Sequence, residues 1–406
     1  MTGEGGFGMA SFPPAALGRF CEQVLADVSL QEKLRQPDDA DQFIALAVAT
    51  ARDCGLPLGP EDVRSAMRGR LPGMGELAES RTSETPLPPK GWLPIGTSWQ
   101  QAELYVQWAY FGEQRLREPF FEGSVQRRLF KPFNRLFRYS TPVAKLAGWL
   151  QAHPSLRPAG FIFHMSRCGS TLVSQMLAAL AQNVVISEAS PIDAVVRARH
   201  VRPDLSNEQH DLWLAWMIGA LGQPRSGDER RYFIKLDCWH TLALPLFRRA
   251  FPEVPWVFMY RDPVEVLVSQ LRMPGLQMIQ GALGPDLFGI TPSDGWLKPE
   301  DYCARVLARI CEPVLQHYAG GAAMLVNYHQ LPQALWTTIM PHFGVQCSDG
   351  DRIAMSAAAR YDAKTPTFEF TPDVHGKQQE ATAAVRTIAD QRLGELYRRL
   401  EALRLG

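Results

Sequence analysis

The chain has 406 residues, 46% of them hydrophobic and 21% charged, with 42 basic residues balanced by 42 acidic ones. That length exceeds the usual single core and sets an expectation of two domains, or one large domain with an appendage. A formal net charge of zero argues against bulk attraction to nucleic acid or a membrane surface, so any anion must be held by local clusters. The seven cysteines are scattered, odd in number and without zinc-type spacing, which points to a reducing compartment rather than a disulfide framework. Met1-Thr2-Gly3-Glu4-Gly5-Gly6 has no basic cap or long apolar stretch, and no later segment has the length to span a bilayer. A cytoplasmic protein without a membrane span is expected.

Residues 14–68 read as short helices. Phe20, Val24, Leu25 and Val28 recur at helical spacing, and Ser29 with Glu32 has the form of a capping box. Asp39 is placed to cap a helix carrying Phe43, Ile44, Leu46 and Ala47, and Pro60 opens another. Residues 69–157 read as a linker and accessory segment. From Gly69 to Gly96 the density of Pro and Gly forbids a long helix or a central strand. Helical patterning is expected again around Trp99–Phe111. Arg127, Arg128, Lys131, Arg135 and Arg138 then form the solvated basic face of an amphipathic helix broken or begun at Pro132.

Residues 158–406 alternate. Strand-like runs at Gly160–Phe163, Val184–Ile186, Tyr232–Leu236, Trp256–Tyr260 and Met324–Asn327 are separated by helix-like stretches. The rhythm predicts an α/β domain, a parallel sheet with helices on both faces, in which ligands bind beyond the carboxyl ends of the strands.

The chemistry concentrates in two places on that rim. His164-Met165-Ser166-Arg167-Cys168-Gly169-Ser170-Thr171 closes one apolar strand and opens a helix, so the turn's N–H groups and the Ser170 and Thr171 hydroxyls converge on an anion. A nucleotide-kinase loop needs a lysine directly after its second glycine, but Ser170 follows Gly169, and Arg167 carries the positive charge instead. A phosphatase needs an arginine six residues after its cysteine, and Ser174 stands there. His164 is read as a local hydrogen-bonding residue rather than a metal ligand. The second signal is Arg261-Asp262-Pro263 with Ser269 eight residues past the arginine. Together the two call for a ligand with two separate phosphate-like groups.

These segments resemble the sulfotransferases that use 3′-phosphoadenosine-5′-phosphosulfate (PAPS). Ser166 to Leu172 resembles the family's 5′-phosphosulfate loop, near the form found in bacterial enzymes and protein-tyrosine sulfotransferases, with Cys168 in place of the usual Ser. Arg261 and Ser269 resemble the 3′-phosphate motif. Phe233-Ile234-Lys235-Leu236-Asp237 is similar to the strand that carries a catalytic lysine. Val326-Asn327-Tyr328-His329-Gln330-Leu331 is similar to a Tyr-Glu-x-Leu segment whose tyrosine lies near the cofactor, with His329 replacing the glutamate. The resemblance covers about residues 158–400 and implies a P-loop-like fold. It also implies sulfuryl transfer from PAPS as co-substrate to a hydroxyl or amine of a small molecule or peptide, with no metal. Arg167 and Lys235 would stabilise the leaving group, each well-aimed donor being worth about 3 kcal/mol. Cys168, Gly169, Ser170, Thr171, Arg261, Ser269 and Tyr328 would hold the nucleotide.

For the base, the resemblance places Glu188, after the second strand, first. Asp237, two residues after Lys235, stands second and His240 third. Residues 360–377 resemble a cofactor-covering loop, with Lys364 or Lys377 closing over the donor. Residues 275–298 have the composition of an acceptor lid. The front segment, Phe20 to Leu34 with Phe43–Ala47 and Gly55-Leu56, resembles the helical leader domain of nitrogen-fixation-associated peptides. Two alternatives remain open: a P-loop-like phosphotransferase, or a non-catalytic module that binds nucleotide or peptide.

Overall fold

A computed structural model describes residues 15–68, 86–284, 287–318, 322–364, 367–368 and 374–405. The chain forms two compact units, one from Met1–Gly112 and Val125–Lys145, the other from Glu113–Ser124 and Leu146–Gly406.

The first unit opens with four helices, α1 (Ala15–Ala26), α2 (Val28–Leu34), α3 (Ala40–Asp53) and α4 (Pro60–Arg68). Asp39 caps α3 as expected, accepting from the N–H groups of Asp41 and Gln42. The cap of α2 is Asp27 rather than Ser29: its carboxylate takes the Ser29 and Leu30 N–H groups from an extended backbone, which pulls Ser29 into the first turn.

The expected helix at Trp99–Phe111 is instead a hairpin of β1 (Trp92–Gln100) and β2 (Glu103–Tyr110). The deciding pattern is period two. Leu104, Val106 and Trp108 are wholly buried on one face. Gln101 and Ala102, both at positive φ, make the reversal. β1 lies at the edge of an antiparallel sheet completed by β3 (Tyr139–Pro142), and its register shifts between Pro94 and Gly96, so an edge strand accommodates the Pro/Gly-rich stretch. Residues 69–85 of that stretch lie outside the described residues. Between the strands run α5 (Phe121–Leu129) and α6 (Pro132–Leu136), which Pro132 begins. A buried polar triad, Gln31, Tyr139 and Trp92, crosses the aromatic core, Gln31 donating to the Tyr139 hydroxyl at 2.9 Å and accepting the Trp92 indole N–H at 3.2 Å.

In the second unit, α7 (Lys145–Ala152) leads to β4 (Pro158–His164). The sheet continues with β5 (Asn183–Ser187), β6 (Arg231–Lys235), β7 (Trp256–Tyr260) and β8 (Ala323–Asn327). All four pairings are parallel, in the order β5-β6-β4-β7-β8. The five strands are apolar and almost continuously buried, as a sheet covered on both faces requires. Helices α8 (Ser170–Ala178), α9 (Ser190–Val196), α10 (Asn207–Leu221), α11 (Leu244–Ala250), α12 (Pro263–Arg272) and α13 (Pro299–His317) provide the cover. Phe343 packs so tightly over Gly160 that a Cβ there would meet its ring at 2.4 Å.

The chain starts this sheet in the middle, at β4, crosses to the far edge at β5, returns through β6 beside β4, and then passes to the other side for β7 and β8. That reversal leaves a crevice at the carboxyl end of β4. Register brings the strand ends level, with Ser187 opposite Lys235, His164 opposite Met259 and Tyr260 opposite Asn327. Among the described residues, no helix is long and apolar enough to cross a membrane.

Candidate active site

Each of the five strands delivers chemistry to the same rim. After β4 comes the 166–171 turn, after β5 Glu188, after β6 Asp237, after β7 Arg261 and after β8 Tyr328. Together they border a cleft of about 470 Å³, a size suited to a small ligand.

The turn is built as an anion cradle. Ser166, Arg167 and Gly169 all have positive φ, a turn geometry that suits anion binding ahead of the N-terminus of α8, although the Ser166 N–H itself is taken by His164. Only glycine fits at 169. Its φ is +84°, and a Cβ would meet Leu331 Cδ1 at 2.7 Å and Tyr328 Cδ2 at 2.8 Å. Strain at Ser166 is held by its surroundings: its N–H donates to His164 Nδ1 at 3.1 Å, and its hydroxyl accepts from Gln270 at 2.8 Å and Gln277 at 3.2 Å. Arg167 donates to the Met273 carbonyl at 2.6 Å. Cys168 is buried against the Met259 carbonyl at 3.1 Å, and burial pushes its thiol up to about 11, so it is not a thiolate nucleophile.

Below the cradle lies a buried charge cluster. Lys235, wholly inaccessible, sits 2.6 Å from Glu188 Oε1 and donates to the Thr171 hydroxyl at 3.2 Å, with its ammonium 4.7 Å from the centre of the Phe120 ring. His164 Nε2 faces the Leu236 carbonyl at 2.9 Å and Glu188 Oε1 at 3.3 Å. With Nδ1 accepting from Ser166, this network assigns the neutral Nε2–H tautomer, and burial lowers the imidazole pKa accordingly. Burial acts to raise the Glu188 pKa, but the Lys235 charge and the His164 contact outweigh it and hold the carboxyl far below its ordinary value. His164 is thus a local hydrogen-bonding residue.

After the neighbouring strand β7, Arg261 is buried, its Nε on Glu265 at 2.6 Å and its guanidinium 3.9 Å from the centre of the Tyr328 ring. Ser269 lines the cleft from two turns further along α12. Asp262 caps that helix through the Val264 and Glu265 N–H groups, which fixes where Arg261 leaves the strand. Lys364 and Lys377 also border the cleft. Lys364 remains solvent-exposed as a residue, and partial desolvation beside Arg167 and Lys235 lowers its pKa to about 8.

Of the residues singled out in the sequence, Arg167, Cys168, Gly169, Ser170, Thr171, Glu188, Asp237, Arg261, Ser269, Tyr328 and Lys364 line this one cleft. Lys235 and His240 stand behind its wall. Phe120, Gln270 and Gln277 were not foreseen; no spacing rule marks them, since Phe120 precedes the sheet and the two glutamines, which line the cleft, reach Ser166 from about a hundred residues along the chain.

No family model matches the chain, and no curated protein matches it. Among solved structures, it is similar to a sulfotransferase domain from the curacin biosynthetic pathway at 14% identity, covering 61% of this chain and 98% of that one, with a TM-score of 0.36. It is also similar to the sulfotransferase STF1 from Mycobacterium tuberculosis H37Rv at 16% identity, with 68% and 87% covered and a TM-score of 0.36. A third is STF9 from Mycobacterium avium at 12% identity, with 67% and 82% covered and a TM-score of 0.37.

Proposed function

We propose that the second unit transfers a sulfuryl group from PAPS to a hydroxyl or amine acceptor. One observation carries the reading: the Ser166–Thr171 cradle after β4 and the Arg261–Ser269 pair after the neighbouring β7 border the same cleft. A ligand with anionic groups at both ends fits that arrangement, and PAPS differs from ATP in having a 3′-phosphate as well as a 5′ chain.

The residues present suit the donor. The cradle N–H groups, Ser170 and Thr171 would take the 5′-phosphosulfate, and Arg261 with Ser269 the 3′-phosphate. Sulfuryl transfer, like phosphoryl transfer, is in line and builds charge on the bridging oxygen that leaves. Lys235, beside the Thr171 hydroxyl, is placed to stabilise that charge, and Phe120 and Glu188 hold it away from bulk water. The cradle lacks the lysine that a phosphotransferase loop uses, which disfavours triphosphate chemistry.

Calorimetry tests the reading. Adenosine 3′,5′-bisphosphate should bind far better than AMP, and PAPS should yield the bisphosphate on incubation with acceptors. Equal affinity for the two nucleotides would remove the two-anion basis.

A further inference from the structure

Glu188 and Asp237 both line the cleft, and their settings are opposite. One Glu188 oxygen, Oε1, is engaged by both Lys235 and His164. Protonating that oxygen would dismantle a buried ion pair. Asp237 has no such partner. It stands at the N-cap of the turn Cys238–Ala243, yet its side chain makes no capping bond. Its nearest ionisable partner is His240 Nε2, 3.6 Å from Oδ2 and beyond hydrogen-bond length.

That imidazole leans the other way. Its Nε2 lies 3.0 Å from Asp193 Oδ1, the oxygen that also receives the Trp239 indole N–H at 2.7 Å. Arg197 approaches the other Asp193 oxygen at 3.8 Å. His240 is buried, and its Nδ1 has no hydrogen-bond partner. Asp193 and Asp237 therefore both face the Nε2 of His240, Asp193 at hydrogen-bond distance and Asp237 further off, and Asp237 opens into the cleft.

We infer that Asp237 is the base that takes the acceptor's proton, and that His240, held by Asp193, is the positioning residue that keeps this carboxylate ionisable inside an apolar wall. The inference rests on the sulfuryl-transfer reading. In the step, the acceptor's O–H or N–H bond breaks and its proton passes to an Asp237 oxygen. The acceptor's electron pair forms the bond to sulfur. The bond from sulfur to the bridging oxygen breaks, and its electron pair leaves on the 5′-phosphate of adenosine 3′,5′-bisphosphate. Glu188 serves Lys235 rather than the acceptor.

The electrostatics agree with this division. Burial raises Asp237 to about 7, with Glu188 and Asp193 pushing the same way and His240 and Lys235 opposing. Burial acts to lower the His240 pKa, but Asp193 and Asp237 outweigh it and raise it. A base that titrates near the working pH is matched to proton abstraction.

Infrared spectra across pH, with adenosine 3′,5′-bisphosphate bound, test the assignment without an acceptor. A carboxylic-acid carbonyl band should titrate near neutrality in the native protein and vanish in Asp237→Asn. Its midpoint should rise in His240→Gln, which removes a stabilising partner, and fall in Glu188→Gln, which removes a repelling charge. A band that survives Asp237→Asn, or a midpoint indifferent to His240→Gln, overturns the inference. In parallel, release of the bisphosphate from PAPS, with water standing in for the acceptor, should fall about a hundredfold in Asp237→Asn while bisphosphate affinity is unchanged. Release equal to the native rate also overturns it. Native protein that prefers neither nucleotide would instead defeat the donor reading, a separate failure.

Discussion

Lys235 and Glu188 are clasped twice: the Lys235 ammonium lies 2.6 Å from Glu188 Oε1, and the Glu188 N–H donates to the Lys235 carbonyl at 2.8 Å. The second bond continues the β5–β6 ladder one residue past the strand ends, and Glu188 adopts a φ of +53° in doing so. Backbone pairing thus aims the carboxylate at the ammonium. Removing either partner leaves a charge inside the protein at a cost of about 3–5 kcal/mol. Lys235→Met and Glu188→Gln should each destabilise, and the double variant should recover about 1–3 kcal/mol relative to their sum. Urea unfolding of the four proteins checks this, and strict additivity would show that the pair is not coupled.

Arg261 is the residue that should distinguish a 3′-phosphate from a hydroxyl. A charged hydrogen bond of this kind contributes about 1.5–3 kcal/mol, so Arg261→Ala should reduce the preference for adenosine 3′,5′-bisphosphate over AMP by about ten- to a hundredfold. AMP affinity itself should change little. Parallel titrations of both nucleotides would show the loss falling on the bisphosphate alone.

Gly169→Ala meets two obstacles at once, the positive φ and the contacts with Leu331 and Tyr328. The conformational cost alone is about 1–2 kcal/mol. Relief requires the turn to shift its N–H groups, so bisphosphate affinity should fall more than stability does. Thermal unfolding with and without nucleotide separates the two effects; a variant that binds as well as the native protein would show the turn to be dispensable.

Asp237 carries a stability signature with a definite sign. Its folded-state pKa, about 7, lies above the unfolded value, so its contribution is fully present below about pH 4 and is lost as pH rises through about 7. Above pH 7 the buried carboxylate is ionised at a cost. Asp237→Asn should therefore raise the melting temperature at pH 8 by several degrees and gain nothing at pH 4, at about 2–4 °C per kcal/mol for a domain of this size. Glu188 has the opposite sign: its pKa is depressed, so its contribution is present at neutral pH and lost as pH falls below the ordinary carboxylate range.

The sheet was readable because its strands are short apolar runs bounded by Gly, Pro and charge, a pattern that a two-faced burial imposes directly. The cradle was readable because Gly169, Ser170 and Thr171 must be neighbours in sequence to act as one turn. The hairpin at 92–110 was not, since Trp99, Leu104, Val106 and Trp108 also satisfy a loose helical spacing, and the reversal at Gln101-Ala102 lacks the glycine or asparagine that usually marks it. The contrast between Glu188 and Asp237 was likewise invisible. Each is a carboxylate just past a strand, and what separates them is the approach of His164 and Lys235 to Glu188 from other strands, while Asp237 has only His240 of its own turn nearby.

Ser166 accepts from Gln270 and Gln277, and Arg167 donates to the Met273 carbonyl, so three bonds tie the cradle to the last turn of α12 and the chain that leaves it. The stretch beginning at Met273 also walls the cleft. On the proposed function, nucleotide occupancy and the shape offered to the second substrate would be joined through one hydroxyl and one guanidinium. If the second unit is the PAPS-dependent sulfotransferase proposed above, a compulsory sequence is expected, PAPS before acceptor and spent nucleotide last to depart. The bisphosphate should then inhibit competitively against PAPS and non-competitively against the acceptor, and Ser166→Ala should relax the sequence towards random addition.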